Sequence, residues 1–219
     1  MTLSLKIFVV DTGPLITLAL AEALDYLLFV NASVVIPDAV LHEATYDAAR
    51  LGAASIIDWV KANHTRVEIA ATKAYEVFDA ARRTVPNLRE PNLGERAAVE
   101  VIEEPGRLIG DERGVLLCEE SAVLRRIVVR DRTRIVEVST LDFLLILEAE
   151  QRIQSAEQIF DRAQQAGRAA SRVATMAGGD DAAVPRFVIW SGGAEPLRPG
   201  AAGAPQGNSS TRPEASSAR

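Results

Sequence analysis

Short apolar runs rich in β-branched residues recur along the chain, and each passes within a few residues into a helical pattern. Leu5-Lys6-Ile7-Phe8-Val9-Val10 stops at Asp11, and Thr12-Gly13-Pro14 then opens a helix. Pro14 falls in the first turn, where a missing N–H leaves no helical bond unmade. Val34-Val35-Ile36 ends at Pro37-Asp38 and runs into a helix carrying Val40, Leu41, Glu43 and Ala44. Val115-Leu116-Leu117-Cys118 ends at Glu119-Glu120, ahead of a helix through Val123, Leu124 and Ile127. Ile135-Val136-Glu137-Val138 precedes a helix through Leu141, Leu144, Leu145 and Glu148. Apolar runs of this length suit strands buried on both faces, and strands alternating with helices imply a parallel sheet covered on both sides. The expected fold class is α/β. Further helical patterns cover Ala53 to Lys61 and Ala70 to Arg83. Asn92-Leu93-Gly94-Glu95 starts another helix in the manner of a capping box, with Asn92 as N-cap and Glu95 three residues on.

Composition bounds what such a sheet can do. The chain has 219 residues, 48% hydrophobic and 25% charged, which is enough for one good-sized core and a tail. Asp11 and Thr12 interrupt the first apolar candidate for a membrane span, and Glu22 and Asp25 the next. The N-terminus lacks the order of a secretory signal, so a cytoplasmic location is expected. A single cysteine, Cys118, excludes an intrachain disulfide and a multi-cysteine zinc site, and reads as a buried strand residue. The formal net charge of −6 gives no global field to attract nucleic acid, so any such chemistry needs a local basic patch or bound cations. From about Ala177 the chain turns to Gly, Pro, Ser and Ala, and residues 171–219 read as a low-complexity, mostly disordered tail after a domain over residues 1–170. Phe187-Val188-Ile189-Trp190 is an apolar island within it.

In an open parallel sheet, ligands bind beyond the carboxyl ends of the strands. Asp11 and the pair Glu119-Glu120 stand at two such ends, Glu43 lies in the helix after the second strand, and Glu95 lies in the first turn of its own helix. Four carboxylate positions without histidine or cysteine companions suit a hard cation, Mg²⁺ or Mn²⁺, completed by water. Each acid also has a plain structural reading: Asp11 as a helix N-cap, Glu95 as a capping-box carboxylate, Glu43 as a solvated helix residue, Glu119 and Glu120 as acids at the positive end of a helix. Their joint order favours a site.

That order resembles the PIN-domain family, in particular the bacterial VapC-like ribonucleases. It is carried by Val9-Val10-Asp11-Thr12-Gly13-Pro14-Leu15-Ile16, Val35-Ile36-Pro37-Asp38-Ala39-Val40-Leu41-His42-Glu43, Leu93-Gly94-Glu95-Arg96-Ala97-Ala98, Val115 to Ala122, and Val136-Glu137-Val138-Ser139-Thr140-Leu141 before a terminal helix. The resemblance spans roughly residues 5–168 and implies a Rossmann-like PIN-type fold with a central parallel sheet. It implies a metal-dependent endoribonuclease, often the toxin of a toxin-antitoxin pair. Asp11, Glu43, Glu95 and Glu120 would then be catalytic, with Asp11, Glu95, Glu119 and Glu120 as metal ligands and Thr12 the hydroxyl beside the first acid. Register before Ser121-Ala122 favours Glu120 over Glu119 as the acid that reaches the ion. Two departures stand out: Gly13 occupies a position where many members have Ser, and the last acid is Glu where Asp is usual.

Arg125 and Arg126, with Arg130, Arg132 and Arg134, form the densest basic stretch and are the candidates for contacts to RNA phosphates. His42 reads as a surface helix residue, because it leaves its helix about 100° from Glu43. Leu18, Leu24, Leu27 and Leu28 form an apolar stripe that is more often core than interface, and they are also the candidates for a homodimer face, which a cognate antitoxin segment would cap. Asp11-Thr12-Gly13 also resembles an aspartic-protease signature, but that reading needs an all-β surround. An aspartate-nucleophile phosphatase would want an acid where Gly13 stands. The remaining competitor is a PIN-like nucleic-acid- or partner-binding protein that turns over weakly or not at all.

Overall fold

A computed structural model describes residues 5–29, 32–85, 87–104, 107–108, 112–119 and 135–168. Five strands form one parallel sheet: β1 (Leu5–Val9), β2 (Ala32–Pro37), β3 (Val67–Ala70), β4 (Arg113–Leu117) and β5 (Ile135–Val138), in the order β3-β2-β1-β4-β5. Ile7 pairs with Val34 on one side and Val115 on the other. Chain order therefore runs outward from β1 in one direction and returns to its other flank at β4, which makes the gap between the carboxyl ends of β1 and β4 the switch point of the sheet.

Seven α-helices flank the sheet among the described residues: α1 (Thr12–Leu20), α2 (Asp38–Thr45), α3 (Ala53–Ala62), α4 (Lys73–Thr84), α5 (Leu93–Glu103), α6 (Thr140–Ala149) and α7 (Ala156–Gln165). Alternation along β1 separates two cores. Ile7 and Val9 face one, built with Leu15 and Leu18 of α1, Ile56 of α3, Leu144 of α6 and Phe160 of α7. Phe8 and Val10 face the other, against Ala98 and Val101 of α5. Leu15, Leu18 and Leu144 are fully buried, so truncation of any one to Ala is expected to cost about 2–5 kcal/mol. Among the described residues, no helix is long and apolar enough to cross a membrane.

Three local expectations are corrected. The helix expected from Ala70 begins at Lys73, because Val67–Ala70 is the edge strand β3 and Thr72 caps the helix by accepting a hydrogen bond from the Tyr75 N–H. Asp38 fixes this turn, accepting from the Thr72 N–H at 2.9 Å and the Thr72 hydroxyl at 2.7 Å, and so ties the carboxyl ends of β2 and β3 together. Second, Asn92 does not close a capping box. Its backbone is left-handed, φ 59°, and its side chain makes no cap bond. Third, Leu18, Leu24 and Leu27 belong to the core. The C-terminal segment with Phe187–Trp190 lies outside the described residues.

Candidate active site

Asp11 follows β1 by two residues and Glu119 follows β4 by two, and Val9 pairs with Leu117, so the two acids leave the sheet in register on the face covered by α1. Asp11 is the N-cap of α1: its carboxylate accepts from the Gly13 N–H at 3.3 Å. Its other oxygen accepts from the Glu119 N–H at 3.1 Å, which carries the β1–β4 ladder one step beyond the strands. The structural role foreseen for Asp11 as a cap is thus real, and it aims the carboxylate at the switch point. Thr12 opens α1 beside it and is partly exposed.

Glu119 is held on both oxygens. Oε1 accepts from Thr17 at 2.6 Å and Thr140 at 3.0 Å, both fully buried, and Oε2 pairs with Arg168 at 2.9 Å. The Arg168 Nε also donates to the Thr17 hydroxyl at 3.2 Å. A Cβ at Gly13 would lie 2.7 Å from Oε2 and 2.9 Å from Cδ of Glu119. The two sequence departures therefore explain each other: the longer acid lies in the space that a side chain at residue 13 would fill.

Glu43, from α2, crosses to the start of α5, where its Oε1 accepts from the Gly94 N–H at 3.0 Å. It satisfies an N-terminal donor of α5 that Asn92 leaves free, at the positive end of the helix. The approach uses space that glycine leaves at residue 94, since a Cβ would stand 2.8 Å from Oε2 and the carboxylate would have to shift. The Glu43 carboxyl is pushed above the ordinary Glu range, first by burial and then by the negative charges of Asp11 and Glu95, against the opposing pull of the Gly94 N–H and Arg50. Glu95, in the first turn of α5, thus shares one field with Glu43 and Asp11. Cys118 is buried beside them, its thiol pushed up to about 12 by burial and then by Asp11, so it stays protonated and is no nucleophile.

The acids come from two pairs of elements: Asp11 and Glu119 follow β1 and β4, and Glu43 and Glu95 are carried by α2 and α5. Their donor set, carboxylates only, has the chemistry of a hard-cation site. Among the described residues no three acids close around a single point. An ion there would be completed by water, as Mg²⁺ generally is. Glu120, Arg125 and Arg126 lie outside the described residues.

Thr17 and Arg168 were not singled out in the sequence, and Gly94 and Thr140 entered only within longer runs, without a role of their own. Thr140 carried a readable signal, because it follows β5 at the same edge that marks Asp11 and Glu119. Thr17 lies on the apolar face of α1 and reads as core, while Arg168 has no local signature at all.

A PIN-domain family model matches residues 7–175 of the chain. No curated protein and no solved structure matches it significantly. The chain belongs to the PIN-domain family, and its fold is of the nuclease type. PIN domains typically use divalent metal ions and act on nucleic acids.

Proposed function

We propose that the protein is a metal-dependent endoribonuclease, hydrolysing RNA phosphodiester bonds at the edge defined by Asp11, Glu43 and Glu95. The observation that carries this reading is the grouping of these three carboxylates: Glu43, held on the Gly94 N–H, has its carboxyl raised first by burial and then by the negative charges of Asp11 and Glu95. Such repulsion weighs against the apo fold and suits a cation. Asp11 and Glu95 would hold Mg²⁺ or Mn²⁺, with Glu43 beside them. A dication held there would supply acidification of a bound water and neutralisation of charge on the phosphoryl oxygens. Glu43, anchored on the Gly94 N–H, would accept the proton of the attacking water as that oxygen bonds to phosphorus and the bond to the leaving ribose oxygen breaks, the leaving oxygen taking its proton from solvent water. Glu119 would serve by holding: its backbone N–H fixes Asp11 while its own carboxylate is occupied by Thr17, Thr140 and Arg168. Glu120 would complete the acids as a ligand, and Thr12, Arg125 and Arg126 would contact the RNA.

A toxin role with a cognate antitoxin and a homodimeric state accompany this reading by family resemblance, and a cytoplasmic location by the character of the N-terminal sequence. The engagement of Glu119 supports a second reading, a PIN-like protein that binds nucleic acid or a partner with weak turnover. Incubation of the purified chain with structured and single-stranded RNA in Mg²⁺, Mn²⁺ or chelator separates the two. Cutting that requires metal supports the nuclease, and binding without cutting under every condition supports the second reading.

A further inference from the structure

Helix α7 ends in a way that aims one side chain at the acid edge. Gly167 is left-handed, φ 95°, and its N–H donates to the Gln164 carbonyl at 2.9 Å while the Arg168 N–H donates to the Ala163 carbonyl at 3.0 Å. These paired bonds close a glycine-terminated helix and turn the chain sharply away from its axis. The residue after such a glycine is commonly apolar and packs back on the helix. Arg168 stands there instead. Its guanidinium crosses to the edge, where Nε donates to the Thr17 hydroxyl at 3.2 Å and Nη2 to Glu119 Oε2 at 2.9 Å. Thr17 in turn donates to Glu119 Oε1 at 2.6 Å, which closes a ring of three side chains.

The side chains of Glu119 and Arg168 are only 13% and 25% exposed, so the pair is largely shielded from water. A shielded carboxylate stripped of its cation is strongly disfavoured and draws in another. Glu119 is also one bond from the first acid, because its N–H donates to the Asp11 carboxylate at 3.1 Å. The protein thus supplies a fixed cation of its own beside the place where a divalent ion is expected. We propose that Arg168 is a resident counter-cation that keeps Glu119 out of the metal shell and weakens divalent-ion binding at Asp11, so that release of Arg168 strengthens it. By linkage the ion loosens the Arg168 contact by the same factor. The proposal rests on the cation reading of the acid edge and names a regulation of that edge: the chain end after α7 and the ion oppose each other.

The experiment titrates Mn²⁺ calorimetrically into the full, chelator-stripped chain and into Arg168→Gln, Arg168→Lys, Arg162→Gln and the double variant that joins Arg168→Gln to Glu119→Gln, each first shown to be folded by circular dichroism. Arg168→Gln is expected to bind roughly 10-fold tighter than the parent, since a freed carboxylate and a lost positive charge act in the same direction. Arg168→Lys keeps the charge, and Arg162→Gln removes an exposed charge elsewhere on α7, so both should bind as the parent does. The double variant should lose the gain. In the parent, Mn²⁺ should also quicken amide exchange in the last turn of α7, a response that a merely structural fastening would not give. If Arg168→Gln does not fold, this exchange measurement decides the matter alone. Saturable binding by the parent with unchanged affinity in Arg168→Gln overturns the counter-cation role and leaves the cation reading standing. A gain that survives Glu119→Gln, or one shared by Arg168→Lys, overturns it too. Failure of the cation reading looks different: no Mn²⁺ is bound by the parent or any variant, and this proposal falls with it.

Discussion

Gly13 and Glu119 are a pair that only makes sense together. Glycine in a helix ordinarily weakens it relative to alanine, yet any side chain at residue 13 would meet the Glu119 carboxylate below 3.0 Å. Gly13→Ser is expected to destabilise the protein by about 1–3 kcal/mol, because Glu119 would have to leave Thr17, Thr140 and Arg168. Adding Glu119→Asp should recover most of that loss, as read by denaturant melts. If the double variant is no more stable than Gly13→Ser, the two positions are not complementary. Glu43 gives a second prediction at this scale. Its carboxyl titrates above the ordinary value of 4.5, so the folded chain binds a proton there that the unfolded chain has already released. Ionised Glu43 therefore weighs against the fold above its raised pKa, and the burden lifts as pH falls through that pKa, vanishing below the ordinary value. Metal-free Glu43→Gln, which keeps the acceptor for the Gly94 N–H, should be more stable than the parent at neutral pH and no more stable near pH 4.5. A difference in melting temperature that stays constant with pH would contradict this.

At the scale of elements, the last helix is secured to the site by one residue beyond its end. Arg168 follows α7 and reaches both Glu119 and Thr17, while Ala156, Ile159, Phe160 and Ala163 dock the helix itself. Arg168→Ala should leave the Glu119 Oε2 short of a donor, costing about 1–3 kcal/mol. Amide exchange should then quicken in the last turn of α7 and around Glu119, with the first turn unchanged. Uniform exchange along α7 would show that Arg168 only decorates the surface. Four of the five strands, and the helices after β1, β2 and β5, were legible, because buried parallel strands print as unbroken apolar runs, whereas the helix expected through Val123, Leu124 and Ile127 lies outside the described residues. The edge strand β3 did not print: Val67-Glu68-Ile69-Ala70 is four residues long, carries a charge, and owes its place to pairing with β2 and to the Asp38–Thr72 bonds. The start of α5 misled for a similar reason. Its cap comes from Glu43, 51 positions away, and no local motif can announce a donor satisfied from another helix.

The whole molecule places its chemistry by topology. Reversal of strand order at β1 leaves an opening between β1 and β4, and Asp11, the first acid of the chain, sits at its mouth. The ordered set of acids was visible in the sequence because Asp11 and Glu119 follow strand ends while Glu43 and Glu95 lie within recognisable helical patterns, so all four could be named before any contact was known. What holds them was not visible, since Thr17, Thr140, Gly94 and Arg168 act only through the folded packing of distant segments. Removal of residues 196–219, whose composition offers almost nothing to bury, should leave the melting temperature unchanged. A large fall would mean that this segment contributes to the fold.

Cation binding by Asp11 and Glu95, beside Glu43, is what the proposed function requires of this edge. It is tested most directly by calorimetric titration of Mn²⁺ into the chelator-stripped protein, beside the Asp11→Asn and Glu95→Gln variants. The account predicts saturable binding by the parent, loss of that binding in both variants with the fold intact, and a rise in melting temperature with Mn²⁺ in the parent only. Equal binding by the parent and Asp11→Asn, or no binding by the parent, would contradict it.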